Sequence, residues 1–205
     1  MRRAITLIFL LVLIPAYTAL AVTPAVKEFT SGNRKVFTTA GHPKSKGINM
    51  KVSYPASWLA KEGERPNIVK KFHSERGKGL ELVFITTKQL ELAPSESDLK
   101  ELFTPTAMKD FVPPGAKFIQ AKPTILEALP AGILEYSMRQ ERLGATIASQ
   151  FISYIFVHGT TMVWLTCGVS ADQATTPTQL ARKMEDFKPL FLLMANSIVL
   201  ENRWR

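Results

Sequence analysis

Apolar and polar residues alternate with a period of two in several segments of the chain. In INMKVSYP (48–55), Met50, Val52 and Tyr54 alternate with polar residues, and Pro55 ends the run. This pattern predicts a strand with one buried side. Similar patterns, rich in β-branched and aromatic residues, predict extended segments at 67–72, 80–86, 117–129, 132–141, 146–157 and 161–169. Gly144 and Gly159 separate the last three, so these segments predict an antiparallel meander.

Two segments show helical spacing instead. Ser95 is followed three residues later by Asp98, which resembles a capping box, and Leu99, Leu102 and Phe103 then form an apolar stripe. A second helix is predicted from Thr176, where Thr-Pro-Thr-Gln supplies another capping box. Its apolar stripe consists of Leu180, Met184, Phe187, Phe191, Met194 and Ile198. Pro189 lies inside this stripe and is expected to kink the helix or to split it in two.

The chain begins with the features of a secretory signal peptide. Two arginines precede an apolar run, and Ala19-Leu20-Ala21 provides a cleavage site. The apolar run is shorter than the ~20 residues of a membrane span, although an uncleaved anchor helix is the alternative. We therefore predict a signal peptide at 1–21, no transmembrane segment after its cleavage, and a periplasmic or secreted protein. Residues 22–46 are polar and weakly patterned and predict a loose basic arm with one short strand at 35–38, whereas 47–205 are predicted to form a single α+β domain.

The positive charge of the chain is concentrated near the N-terminus. Residues 22–79 contain 12 basic and 4 acidic residues, a net charge of +8, whereas residues 80–205 contain 12 and 13, a net charge of −1. One interpretation is a solvated face that keeps the protein soluble. The other is a surface for an acidic protein or an anionic envelope surface. The residues predicted to form that surface are Lys44, Lys46, Lys70, Lys71, Arg76 and Lys78. Nucleic acid is not expected as a partner, because export separates the protein from it.

Cys167 is the single cysteine of the chain and lies within the strand predicted at 161–169. It shares its parity with Val163, Leu165 and Val169, so it is expected to point into the more apolar side of the sheet. There it would behave as a small hydrophobic residue with a raised thiol pKa. His158 lies in the preceding turn, about 20 Å away at the rise of a strand, which excludes a dyad between the two.

No other pattern predicts a catalytic centre. His42, His73 and His158 are scattered singly, without the spacing of helical zinc ligands. Phosphate-binding loops of the GxxxxGK type, GxGxxG motifs and GxSxG elbows are all lacking from the sequence. We therefore predict no catalytic residue, no metal site and no cofactor.

The order of several short segments resembles the PsbP/Mog1-like domain family, over roughly residues 47–200. The segments that carry this resemblance are Tyr54–Trp58, Arg65–Val69, the strand containing Trp164, Phe187–Phe191 and Asn196–Ile198. The resemblance implies an α+β fold with a central antiparallel sheet and helices on both faces, an α-β-α sandwich. It also implies a binding or assembly role rather than catalysis. The ion-related and docking roles of photosynthetic members do not carry over, since their motif residues have no counterpart here.

Three functions remain open from the sequence. The favoured hypothesis is a non-catalytic exported binding or accessory protein that uses its basic surface. A second is a small-molecule or lipid carrier with an apolar pocket between sheet and helix. A third is a hydrolase whose site is assembled from distant residues such as His73 or Ser57.

Overall fold

The computed structural model describes residues 23–142, 145–171 and 175–203. The predicted signal peptide and Gly144 lie outside these ranges. Within them the chain forms three α-helices, α1 (Pro24–Thr30), α2 (Glu96–Leu102) and α3 (Pro177–Asn196). The ten strands are β1 (Arg34–Thr38), β2 (Met50–Pro55), β3 (Trp58–Glu62), β4 (Ile68–Ser74), β5 (Glu81–Gln89), β6 (Lys117–Leu126), β7 (Leu129–Arg142), β8 (Ala145–His158), β9 (Thr161–Ala171) and β10 (Val199–Leu200). Short 3-10 helices occur at Pro43–Ser45, Ala107–Phe111 and Glu201–Arg203.

Seven strands form one large antiparallel sheet in the order β3-β4-β5-β9-β8-β7-β6. The predicted meander is confirmed and extends to four strands, since β6, β7, β8 and β9 pair consecutively. β5 then pairs with β9, which places β9 and β8 in the interior of the sheet with hydrogen-bonded neighbours on both sides. The protein is therefore an α+β protein built on a large antiparallel sheet, as predicted.

The prediction of a loose N-terminal arm is wrong for residues 23–46. Thr23 caps α1, whose Val26 and Phe29 are buried in the main hydrophobic core. The predicted strand at 35–38 is confirmed as β1, which pairs with β2 in a second, three-stranded sheet of order β1-β2-β10. The region contains few apolar residues, so its sequence pattern did not predict a fixed structure. Two buried side chains of the short helix α1 are nevertheless enough to hold it against the core.

Both predicted capping boxes are present. Ser95 and Asp98 cap α2, and Thr176 and Gln179 cap α3, in each case through reciprocal bonds between side chain and backbone. Pro189 was expected to kink the helix or to split it in two; α3 continues through Pro189, so the split is wrong. Four residues of the predicted stripe are buried in α3: Leu180, Met184, Phe191 and Met194. Phe187 is only half-buried, Ile198 is buried just beyond the end of the helix, and Leu190, which the stripe did not include, is buried as well.

The two sides of the large sheet differ in what covers them. On the side that we call the closed face, which carries Cys167, residues of α1, α3 and the small sheet pack in one continuous core. On the opposite side, which we call the open face and which carries Trp164, a second and smaller cluster forms around Phe103 and Met108. The open face is therefore covered by the segment 99–112 over part of its area only.

A close backbone approach fixes that segment on the open face. A Cβ atom added to Gly132 of β7 would lie 2.2 Å from the Sδ of Met108 and 2.8 Å from the Phe103 ring. Only glycine leaves room for these two side chains directly above the strand. Within this segment the Thr104 hydroxyl accepts the N–H of Ala107, which stabilises the turn between α2 and the following 3-10 helix.

Candidate functional site

Cys167 is buried on the closed face, as the sequence predicted. It lies directly across from Val83 of β5 and Ile152 of β8, both of which are buried. Burial raises the pKa of its thiol well above the usual value. The thiol therefore lacks both the access and the ionisation that a nucleophile requires.

The four cations predicted as one cluster on β4 and its following turn do not share a surface. Lys70 and Lys71 are adjacent in β4 and point to opposite faces of the sheet. Lys70 pairs with Glu62 and lies 5.2 Å from the centre of the Phe37 ring, whereas Lys71 pairs with Glu64 at 3.0 Å. Carboxylates thus already neutralise both of these lysines.

The remaining predicted cations lie at separate places. Lys44 donates its ammonium to the carbonyl oxygens of Gly63 and Arg65. Lys46 is exposed at the end of the sheet where Thr161 donates to its carbonyl. Arg76 and Lys78 are both exposed and occupy the turn that precedes β5. This turn is at the opposite end of β5 from Lys46, about 27 Å away at the rise of a strand.

The two residues considered for a hydrolase are not paired. The Ser57 hydroxyl donates to the Glu28 carboxylate at 2.6 Å. Both ring nitrogens of His73 are buried and have no hydrogen-bond partner among the described residues. A serine activated by histidine would need a hydrogen bond between the two side chains, and this arrangement does not contain one. The described residues also contain no group of three His, Cys, Asp or Glu side chains placed to hold a metal ion.

A groove of about 500 Å³ lies on the open face, between the sheet and the segment 99–112. It crosses β7, β8, β9 and β5, which supply its floor, and it is open to solvent on its outer side. Five of its nine apolar lining residues are aromatic: Phe84, Phe111, Tyr136, Phe151 and Trp164, beside Ile68, Pro113, Leu134 and Met138.

The floor of the groove depends on a glycine in the centre of the sheet. The Tyr136 and Phe151 rings stack with their centres 5.1 Å apart, and Phe151 then extends over Gly168 of the next strand. A Cβ atom at Gly168 would lie 2.5 Å from the Phe151 ring. The missing side chain therefore lets an aromatic ring lie flat on β9 and keeps the floor shallow.

A short row of hydroxyl groups lies deeper in the same floor. Ser153 and Thr166 are directly opposite each other on β8 and β9, with their oxygen atoms 2.9 Å apart, and both are buried. The Tyr136 hydroxyl interacts with Ser153 at the end of this row. Burial raises the pKa of Tyr136 to about 12, so this hydroxyl stays protonated at neutral pH. Each hydroxyl of the row has a neighbouring hydroxyl to interact with, and the row is uncharged.

The wall of the groove is formed by the covering segment. Phe111, from the 3-10 helix, meets Trp164 of β9 edge to face, with ring centres 6.1 Å apart. Pro113 follows on the same side. Aromatic rings thus contribute to both the wall and the floor of the groove, a lining that suits an apolar ligand.

The charged residues of the groove are of one sign. Arg65 and Lys88 line its rim, both are exposed, and neither forms an ion pair with another described residue. No carboxylate occurs among the described residues that line it. The rim is therefore positively charged above an apolar interior.

Sequence reasoning did not identify this groove. The sequence feature that accompanies it is the composition of the side of β9 opposite to Cys167. This side carries an aromatic, a polar and a glycine residue, namely Trp164, Thr166 and Gly168. This mixed composition accompanies a side of the sheet that the rest of the chain covers only in part. Arg65 and Lys88 come from separate loops and strands, and no sequence spacing connects them.

No match to this chain is found among protein-family models or curated proteins. Among solved structures, a protein of Bacteroides thetaiotaomicron VPI-5482 matches with 10% identity and a TM-score of 0.45, covering 84% of this chain and 50% of that one. This chain thus spans half the length of the Bacteroides chain. LpqN of Mycobacterium tuberculosis, described as involved in cell envelope biogenesis, matches with 12% identity and a TM-score of 0.45, covering 86% of this chain and 96% of its own. Likenesses of this strength do not transfer either protein's role to this chain.

Proposed function

We propose that this protein is a non-catalytic binding protein that carries a small apolar or amphipathic molecule in the groove of the open face. The observation that carries the proposal is the groove itself, about 500 Å³ in volume and walled by aromatic side chains. Sites for small molecules have volumes of roughly 300–1,000 Å³ and are mostly apolar with a few polar groups. The buried thiol of Cys167 and the engaged hydroxyl of Ser57 favour binding over catalysis.

The signal-peptide features of residues 1–21 support export to the periplasm or beyond as the setting of this function. No helix in the described ranges is long and apolar enough to cross a membrane. We further propose that the fold is an α-β-α sandwich of the PsbP/Mog1-like kind, in which the segment containing α2 is the second helical layer. The groove lies between the sheet and the 3-10 helix that contains Phe111, which supports the carrier hypothesis.

The proposal is tested by native mass spectrometry of the purified protein, which should reveal a retained small molecule. The Thr86→Trp variant should lose this molecule, because Thr86 is half-buried in the lining of the groove and a larger side chain would fill it. Thr124→Trp is the matched control, since Thr124 is also half-buried but lies on β6 outside the groove. Retention of the same molecule by both variants would place the ligand elsewhere, and an empty protein that binds no apolar probe would reject the proposal.

A second candidate is the contact with an acidic partner that the charge distribution suggested. It is supported by the exposed Arg76 and Lys78, which form no ion pair with another described residue. Charge reversal at these two positions should abolish salt-sensitive binding to anionic vesicles. Unchanged binding by the reversed variant would remove this candidate.

A further inference from the structure

The floor of the groove offers no backbone hydrogen bonds to a ligand. It is formed by the interior strands β8 and β9 and their neighbours, whose backbone groups pair within the sheet. A peptide that bound here could not add a strand, because that mode requires an unpaired sheet edge. The floor therefore suits a ligand whose main body forms no hydrogen bonds.

The buried hydroxyls do not supply a polar subsite either. Ser153 is hydrogen-bonded to Thr166 and interacts with the Tyr136 hydroxyl, so the row has few donors left for a ligand. A polar headgroup placed at this depth would lose its hydration and gain few partners in return. The polar end of a ligand must therefore lie nearer to the rim.

The rim has one chemical character. Arg65 and Lys88 are its charged residues, and their charges are not neutralised by other described side chains. Beside the groove on the open face lies Lys71 of β4, directly opposite Phe84 of β5. The Glu64 carboxylate pairs with Lys71. An anionic group at the rim would gain Coulomb energy from two cations, whereas a cationic group would be repelled.

The dimensions of the groove favour a ligand with one hydrocarbon chain rather than two. The aromatic floor extends from β7 to β5, three strand spacings or about 14 Å. A volume of about 500 Å³ lies in the range of a single small ligand.

We propose that the ligand is a single-chain amphiphile with an anionic headgroup, whose chain lies on the Phe84, Phe151 and Trp164 rings and whose headgroup lies between Arg65 and Lys88. This inference rests on the proposed function and specifies its ligand. The two cations select the headgroup, and the aromatic floor supplies the affinity for the chain.

The test compares three ligands of equal chain length by isothermal titration calorimetry, below their aggregation concentrations: dodecanoate, dodecan-1-ol and dodecylammonium. Dodecanoate should bind roughly fivefold more tightly than the alcohol, as expected for two exposed ion pairs, and dodecylammonium most weakly. The preference for dodecanoate should decrease as the salt concentration rises.

Two double variants assign the preference to the rim. Arg65→Ala with Lys88→Ala should remove the preference, so that dodecanoate and dodecan-1-ol bind to this variant with equal affinity. Lys35→Ala with Lys122→Ala removes the same charge from exposed sites on β1 and β6 and should retain the preference.

The outcomes separate the two proposals. Equal binding of dodecanoate and dodecan-1-ol, with both abolished by Thr86→Trp, would overturn the headgroup inference while supporting the carrier function. A preference that survives in the Arg65 and Lys88 variant would overturn it as well. Binding of none of the three ligands would reject both proposals.

Discussion

The closed face and the open face are formed by alternate residues of the same strands, yet they differ in composition and cover. On the closed face of β9, Val163, Leu165 and Cys167 are fully buried beneath α3 and the small sheet. On the open face of the same strand, Trp164 is half-buried. Thr166 is buried, but its side chain carries a polar hydroxyl group. A period of two thus places a continuous core on one side and a partly covered groove on the other.

The difference indicates how the two roles of the sheet are divided. Fully buried aliphatic and aromatic side chains supply most of the free energy of folding, so the closed face stabilises the protein. The open face gives up part of that burial, because the groove leaves Phe84, Phe111 and Phe151 half-buried. Ligand-binding surfaces are commonly drawn from such less stabilised regions.

Thiol labelling should show the largest difference between the two faces. Cys167 is fully buried with a raised thiol pKa, so a thiol reagent must wait for the protein to open. We expect native Cys167 to react at least about a thousandfold more slowly than the unfolded chain, and faster as urea is added.

The matched variant moves the thiol to the other face. Thr86→Cys combined with Cys167→Ala places one cysteine in the groove, where it should react at a rate close to that of the unfolded chain. Rapid stoichiometric labelling of native Cys167 would contradict the burial described here and reopen a catalytic role for the thiol.

Removal of an aromatic ring should cost far more on the closed face than in the groove. Phe191 of α3 is fully buried, so Phe191→Ala should lower the free energy of unfolding by about 3–5 kcal/mol through lost burial and a cavity. Phe84 is half-buried and already borders a groove, so Phe84→Ala should cost about 1–2 kcal/mol, less than the usual cost for a buried ring. Urea unfolding of both variants measures the difference, and equal losses would mean that the open face is packed as tightly as the closed face.

Much of this fold follows from local patterns in the sequence. The strands that became β2, β4, β5, β7, β8 and β9 were predicted because one of their faces is apolar. Both capping boxes were predicted from residue types three positions apart. β3 was missed because, after the buried Trp58, its remaining residues are all exposed and show no alternation. The segment 23–46 was misjudged for the related reason that few of its residues are apolar.

The groove could not be predicted in the same way, because its parts are brought together by strand order. Register across the sheet places Ser153 opposite Thr166 and Thr166 opposite Phe84, and no sequence spacing contains this row. The charge pattern was visible but misleading, since Lys70 and Lys71 are adjacent in sequence and point to opposite faces. Arg65 and Lys88, which both line the groove, were not singled out.

The closed face also contains an ion pair that should contribute measurably to stability. Lys188 of α3 lies 3.0 Å from the buried carboxylate of Glu135, which also accepts a bond from Gln120 at 2.8 Å. Lys188→Met would leave this carboxylate without its cation and should cost about 1–3 kcal/mol, less than a fully buried pair because Lys188 is partly exposed. The double variant with Glu135→Gln should recover part of the loss in urea unfolding. If Lys188→Met costs nothing, the pair does not help to hold α3 on the sheet.

The same pair predicts a pH dependence with a defined sign. Burial lowers the pKa of Lys188, but hydrogen bonds to the carboxylates of Glu185 and Glu135 outweigh it, so the pKa is raised above its ordinary value of 10.5. A raised pKa in the folded state contributes stability that is complete below the unfolded value and is lost as the pH rises through the folded value. The stability difference between the wild-type protein and Lys188→Met should therefore be constant from pH 7 to about 10 and shrink above 10.5. A difference that grows at alkaline pH would contradict this assignment.

The smallest expected effect concerns the glycine beneath the floor of the groove. Gly168→Ala would place a Cβ atom 2.5 Å from the Phe151 ring, which must tilt away from β9 and from Tyr136. Because the ring borders an open groove and can move, we expect a loss of only about 1 kcal/mol in the free energy of unfolding, at the low end for overpacking. In a Phe151→Ala background the same change should cost less than about 0.5 kcal/mol, since the clash is gone. If Gly168→Ala lowers the free energy of unfolding equally in both backgrounds, the Phe151 ring is not the reason for the glycine, and the strand itself requires it. Ligand binding should weaken in Gly168→Ala even so, because the tilted ring occupies the groove that the open face leaves free.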